Sequence, residues 1–180
     1  LFDSSIEASP EMLQALAEAN SFVKVRYVSE DLLKDAKHLQ FLPHLADAVA
    51  ELGGGKLIYD SVAEKLILRR DLQDLLRSRA EVSGPDIHTR VIWRSAPAGG
   101  FAETRGLAKV GMPELKTPPT DVDQRILVAA VLQEAIAKLW TLTAVPGSVD
   151  VVAFDDHFKV VLEPARDKSL LARILRIQTA

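Results

Sequence analysis

"SVDVVAFDDHFKVVLE", residues 148–163, holds two runs of alternating apolar residues with a pair of aspartates between them. Period-two alternation sends successive side chains to opposite faces of a strand. Folding the chain at Asp155-Asp156, both good turn formers, puts Val149, Val151 and Ala153 on one face with Phe158, Val160 and Leu162. A register that gathers both apolar sets on one side is strongly specified. The stretch predicts a β-hairpin with one buried face.

Two more hairpins follow from the same reasoning. "KLIYD" (56–60) and "KLILRR" (65–70) are separated by the short loop 61–64. Pairing Asp60 with Lys65 aligns opposite charges and places Leu57, Tyr59, Leu66 and Leu68 together. "IHTRVIWR" (87–94) and "FAETR" (101–105) read as strands around the turn "SAPAGG". A fourth alternating run, "FVKVRYV" (22–28), reads as a half-buried strand with Val23, Val25 and Tyr27 inward.

Helices fill the spaces between. Ser9-Pro10-Glu11 is a cap, a first-turn proline and a first-turn acid, followed by the stripe Met12, Leu13, Leu16 and Ala17. Pro43 suits the first turn of a second helix striped by Leu42, Leu45, Ala46, Val49 and Leu52, and Gly53 stops it. Asp71 caps "DLQDLLRSRA". Thr120 or Asp121 caps a helix to about Trp140, apolar on most sides from Ile126 to Leu132 and therefore expected under a sheet. From Ala165 the tail reads as a helix carrying Arg166, Lys168, Arg173 and Arg176 against Asp167. Hairpins joined by helices predict an α+β fold: a largely antiparallel sheet with helices packed on one face. We expect a single domain over residues 1–180, its point of internal division near 80–86.

The 180 residues are 48% hydrophobic and 26% charged, the profile of an ordinary globular chain. With no cysteine, disulfides, thiolate metal sites and cysteine nucleophiles are excluded. A net charge of −3 argues against dedicated nucleic-acid binding. No apolar run approaches the roughly 20 residues of a membrane span. No basic-then-apolar leader pattern follows Leu1, so a cytoplasmic location and no membrane partner are the expectation.

Candidate chemistry is sparse. His44, Asp47 and Glu51 share a helical face, yet that face lies opposite the apolar stripe and reads as solvated. Asp155-Asp156-His157 reads as a turn, because side chains alternating along a strand diverge from any common ion. Gly53-Gly54-Gly55 follows a helix and precedes a strand, the reverse of a phosphate loop. No metal and no cofactor are expected. The stretch "FAETRGLAKVGMPELKTPPTD" (101–121) is the remaining candidate. In one reading Gly106 and Gly111 supply turn dihedrals, Leu107 and Leu115 are buried beneath, and Arg105 and Glu114 tie the loop together. In the other, Thr104, Arg105 and Glu114 bind a ligand beside Tyr59 and Asp60, with Arg105 forking onto a carboxylate or phosphate.

"TRGLAKVGMPEL" (104–115) resembles the Thr-Arg-Gly-Leu/Met-x-x-Phe-Gly-x-Pro-Asp/Glu-Leu signature of bacterial proteins classed as domains of unknown function. "HLADAVAELGGGKLIYDSVAEKLILRRDL" (44–72) is similar to the same proteins, so the resemblance spans about residues 40–140. Val110 stands where an aromatic is usual, and Glu103 where such proteins often carry histidine. The resemblance implies a bacterial α+β protein and no particular activity. Two functions fit these residues. One is a non-enzymatic binding domain, immunity-like or an accessory regulator, with a protein partner; the other is an enzyme or small-ligand binder with a pocket around Arg105, Glu114 and Tyr59. With no convergent ligand set in the sequence, prolonged chelation is expected to leave the melting temperature unchanged; a fall that zinc or manganese reverses would show a missed site.

Overall fold

Where period-two runs are joined by short turns, the backbone pairs as the side chains require. The structure is a computed structural model describing residues 8–28, 37–97 and 99–177. The chain divides into two compact units, Leu1–Ile87 and His88–Ala180.

In the N-terminal unit, α1 (Pro10–Glu18) starts as its sequence predicts, with the Ser9 hydroxyl accepting the Met12 N–H at 3.2 Å. None of its residues is buried, so the expected stripe is only partly covered. The second helix, α2 (Lys37–Leu52), begins well before Pro43, which lies inside it rather than in its first turn. Pro43 and Leu39, one turn apart, are both buried, and burial of that face offsets the backbone bond proline cannot make. Leu52, expected in the stripe, is instead exposed where the helix ends. Gly54, at φ 65°, ends α2 in a Schellman arrangement: Gly55 N–H donates to Ala50 O and Gly54 N–H to Glu51 O.

β1 (Leu57–Asp60) and β2 (Lys65–Leu68) pair in the predicted register, Asp60 opposite Lys65 and Tyr59 opposite Leu66. α3 (Arg69–Ser78) starts two residues before Asp71, which sits in the first turn as a charge on the dipole rather than as the cap. The segment 80–82 is held by Gln40, whose amide donates to Ala80 O and accepts the Val82 N–H. Residues 22–28 form no strand. Their alternation is real, but a strand has no hydrogen bonds of its own, and no strand among the described residues pairs with them; Phe22 is 90% exposed.

Pro85 opens a helical turn, α4 (Pro85–His88), which delays β3 to Arg90–Ala96 instead of residue 87. β3 pairs with β4 (Gly99–Arg105), Arg90 opposite Arg105. A 3-10 turn (Leu107–Val110) leads to the two-residue β5 (Leu115–Lys116). A second 3-10 turn (Val122–Gln124) precedes α5 (Arg125–Leu139), which has no side-chain cap at Thr120 or Asp121. The hairpin β6 (Ser148–Ala153) and β7 (Asp156–Pro164) then leads into β8 (Leu170–Arg176). Among the described residues these strands form a six-stranded sheet ordered β3-β4-β5-β8-β7-β6. Only β5 and β8 run parallel. The fold is α+β with a largely antiparallel sheet.

Two corrections follow. The β6–β7 turn is Phe154-Asp155, with Val151 opposite Phe158 and Ala153 opposite Asp156. Relative to a turn at Asp155-Asp156 the partners slip by two residues, which keeps every side chain on its face. The tail from Ala165 is strand β8, not helix. Leu170, Leu171, Ile174 and Leu175 fit a helical spacing as well as Leu170, Ala172 and Ile174 fit a strand. The strand prevails because it pairs with β7 on one side and β5 on the other.

The core of this unit is the inner face of the sheet under α5. Val128, Val131, Leu132, Ala135, Ile136 and Leu139 form its buried stripe, and α5 packs against β3, β4 and β6. Only that stripe is covered: Ile126, read as part of an all-round apolar helix, is 74% exposed. Lys138, on the same helix, donates to the Asp150 carbonyl on edge strand β6, blunting the edge against further pairing. Leu132→Ala is expected to cost about 2–5 kcal/mol by urea unfolding, whereas Ile126→Ala should stay within about 0.5 kcal/mol.

Candidate functional site

The corner between β4 and β5 is built by two glycines and a glutamate. Gly106, at φ 108°, turns the chain out of β4 so tightly that a Cβ there would lie 2.1 Å from the His88 carbonyl oxygen. Gly111, at φ 74°, closes the 3-10 turn, and the Met112 N–H returns to Leu107 O at 3.2 Å. Leu107 and Leu115 are fully buried beneath, as the sequence predicts.

Glu114 fastens the corner. One carboxylate oxygen accepts the N–H groups of Gly106 (2.8 Å) and Ala108 (3.3 Å), and the other accepts the Thr104 hydroxyl at 2.7 Å. Thr104 is fully buried, and its oxygen accepts the Leu115 N–H at 2.8 Å. The expected tie between Arg105 and Glu114 is replaced by this one. Short, buried hydroxyl and amide donors inside the turn satisfy the carboxylate. Arg105 turns instead to Glu103 (2.9 Å) and to the Thr104 carbonyl (3.1 Å). Glu103 also accepts Arg94 at 2.7 Å and so sits between two guanidiniums. Further on, Thr117 exchanges bonds with Ala102, and Thr120 with Gly100. Pro113, Pro118 and Pro119 bring no N–H that would need a partner.

Beside the corner lies a shallow cleft of about 250 Å³. Glu103, Arg105, Glu114 and Lys116 form one wall, and Asp167, Lys168 and Ser169, from the turn between β7 and β8, form the other. The sequence reading named Arg105 and Glu114 but missed Lys116 and the turn. Asp167-Lys168-Ser169 carried a signal: an Asp whose side chain accepts from the residue two places on is a turn pattern. Reading the tail as helix concealed it. Here Asp167 accepts both the N–H (3.1 Å) and the hydroxyl of Ser169. Those bonds, the hydroxyl first, hold its carboxyl below the usual range, and Lys116 adds a smaller push. Lys168 occupies a left-handed conformation, φ 67°.

Tyr59 and Asp60 belong to the N-terminal unit, on β1. Asp60 accepts the N–H groups of Val62 and Ala63, both at 3.1 Å, and so forms the β1–β2 turn. On α2, Asp47 and Glu51 are not simply solvated: Arg69 bonds them at 2.8 and 3.2 Å.

No family model, no curated protein and no solved structure matches this chain. The two glycines separate the terms that hold the corner. Gly111→Ala, with open space around the new methyl, is expected to cost about 1 kcal/mol for its dihedral alone. Gly106→Ala adds a backbone collision and is expected to cost about 3 kcal/mol or more; equal losses in denaturant unfolding would refute this account.

Proposed function

We propose that this chain is a non-enzymatic binding domain, immunity-like or an accessory regulator, that recognises a protein partner through the tip of the β6–β7 hairpin. Phe154 carries this reading. It is the first residue of a two-residue turn whose central dihedrals are both positive, 51° at Phe154 and 65° at Asp155. Such a turn favours Asn-Gly, and a bulky residue there is strained. The ring gains no burial in return, being 64% exposed. A strained, solvent-facing aromatic is costly for the isolated fold and useful as an anchor in a partner's pocket.

Its surroundings support an interface. Register places Val152, His157 and Ile177 in one row across β6, β7 and the end of β8, with Asp150, Lys159 and Leu175 in the next. Val152, Leu175 and Ile177 are exposed. On the same face stand the ion pairs Lys159–Asp150 and Arg173–Glu163, while Arg176–Asp156 lies at the strand ends on the opposite face. An apolar centre with a charged rim is the usual anatomy of a recognition patch. Because Arg173 and Arg176 are paired with acids, the basic tail has less charge to offer a phosphate backbone.

Phe154→Asn tests the proposal, since it relieves the turn while removing the anchor. We expect the melting temperature to hold or rise, and affinity for a partner captured by the unaltered protein from host extract to fall by roughly 30-fold. Undiminished capture by Phe154→Asn combined with Leu175→Thr would overturn it.

A further inference from the structure

"FVKVRYV", residues 22–28, alternates like a strand yet pairs with none of the described strands. From Phe22 to Val28 the chain has neither turn nor bend, and among the described residues none of its backbone groups is hydrogen-bonded. All of its residues are exposed, Phe22 at 90%, Val23 at 71% and Val28 at 64%, and a contiguous run of large apolar side chains left so open marks an interaction surface. Lys24 and Arg26 form no ion pair with any described carboxylate. The Tyr27 ring stacks on His38 at 5.3 Å, which moors the C-terminal end of the segment to α2.

These features fit one geometry. A strand added to a sheet edge exchanges N–H and C=O bonds with that edge at every second residue, and those groups are unbonded here. Alternation sorts the side chains, with Val23, Val25 and Tyr27 on one face and Phe22, Lys24, Arg26 and Val28 on the other. The first face carries no charge and is already partly covered, Val25 being 37% and Tyr27 47% exposed, so it is the side suited to a core. The second presents two cations to whatever stands across the strand. A second copy of the segment fits poorly. Every antiparallel register that pairs most of residues 22–28 and keeps Val23, Val25 and Tyr27 on one face sets cation against cation, Lys24 opposite Arg26 or either opposite itself. Two cations, in a chain of net charge −3, are also too few to hold a phosphate backbone.

We propose that residues 22–28 are a docking strand, which adds to the exposed sheet edge of a protein partner whose edge strand alternates acidic and apolar side chains. Acidic residues at every second position of that edge stand opposite Lys24 and Arg26, and the apolar residues between them cover Val23, Val25 and Tyr27. The backbone ladder supplies affinity, and the charge match selects which edge is taken. The stack of Tyr27 on His38 fixes one end of the strand before the partner arrives, which reduces the ordering that binding requires. This segment is distinct from the β6–β7 tip, and the inference does not rest on that reading.

Amide hydrogen exchange followed by NMR on the full chain tests the assignment with synthetic peptides as long as the segment. One alternates valine and glutamate, one alternates valine and lysine, and one is the acidic peptide with its central valine replaced by proline. With the acidic peptide we expect protection at every second amide of residues 22–28, the mark of a ladder along one edge. The basic and proline peptides should bind roughly tenfold more weakly or worse. Lys24→Glu with Arg26→Glu should reverse the preference and favour the basic peptide by roughly tenfold. Val25→Pro should abolish the protection and, at an exposed position without backbone bonds, leave the melting temperature unchanged. Protection that appears without peptide and rises with protein concentration would place a second copy on the segment and overturn the proposal. A stronger response to phosphatidylserine vesicles than to the acidic peptide would assign the segment to a membrane surface and overturn it equally. No protection by the acidic peptide, protection at consecutive amides, protection that survives Val25→Pro, or an unchanged preference in the charge-reversed variant would each do the same.

Discussion

Two residues of β5, Leu115 and Lys116, join the halves of the C-terminal sheet. On one side Lys116 lies opposite Glu103 of β4; on the other, Leu115 and Lys116 run parallel to Leu170 and Leu171 of β8. A ladder this short has few backbone bonds, so its position is set by what surrounds it. The Thr104 hydroxyl takes the Leu115 N–H, Thr117 and Ala102 exchange bonds, and the Leu170 N–H donates to Glu114 O at 2.8 Å. Glu114 therefore acts twice, its side chain closing the corner and its carbonyl receiving β8. Hydrogen bonds to a charged group are worth about 1.5–3 kcal/mol each, which is enough to fix so small a junction. The "TRGLAKVGMPEL" stretch is first a joint between two antiparallel ribbons.

The same joint explains why a cleft lies beside it. Where β4 turns away and β8 arrives from the β7 turn, the sheet surface is interrupted, and charged ends of three elements meet around a small volume. Cross-strand ion pairs elsewhere on the outer face are exposed and worth only about 0–1 kcal/mol apiece. They shape the surface far more than they stabilise it. The hairpin tip has a different character: several exposed apolar side chains beside cross-strand ion pairs, and an aromatic in a costly conformation. One unit thus carries two chemically distinct surfaces, a cleft lined by charges of both signs and a hairpin tip with an exposed aromatic.

Much of this was legible because it is local. The Ser9 cap, the glycine stop after α2 and the Asp60–Lys65 register all join residues close in sequence, where dihedral preference and period-two matching leave few alternatives; the β6–β7 hairpin was legible in its apolar faces, while its turn lies one residue earlier than Asp155-Asp156. Gly106 and Gly111 belong with them, since a tight reversal between buried leucines requires positive φ. The candidate site was half legible: Thr104, Arg105 and Glu114 were identified from the loop, while their partners were assigned wrongly because carboxylate and guanidinium choose among donors only in three dimensions.

What tertiary structure decided are the elements whose local pattern is ambiguous or whose partner is distant. "LLARILR" satisfies helix and strand periods alike, and it became β8 because unpaired edges of β5 and β7 stood on either side to receive its backbone. "FVKVRYV" alternates as cleanly as any strand here, yet no described strand pairs with it, and alternation without a ladder has no energy to hold it. Lys116, Asp167, Lys168 and Ser169 became one wall and its opposite only once β8 had paired with β5, some fifty residues away in the chain. Sequence by itself determined the Ser9 cap, the β1–β2 register and the positive-φ glycines of the corner, because those depend on dihedrals and near neighbours. Sheet order and the cleft depend on backbone groups finding partners across long separations, and that only the folded chain decides.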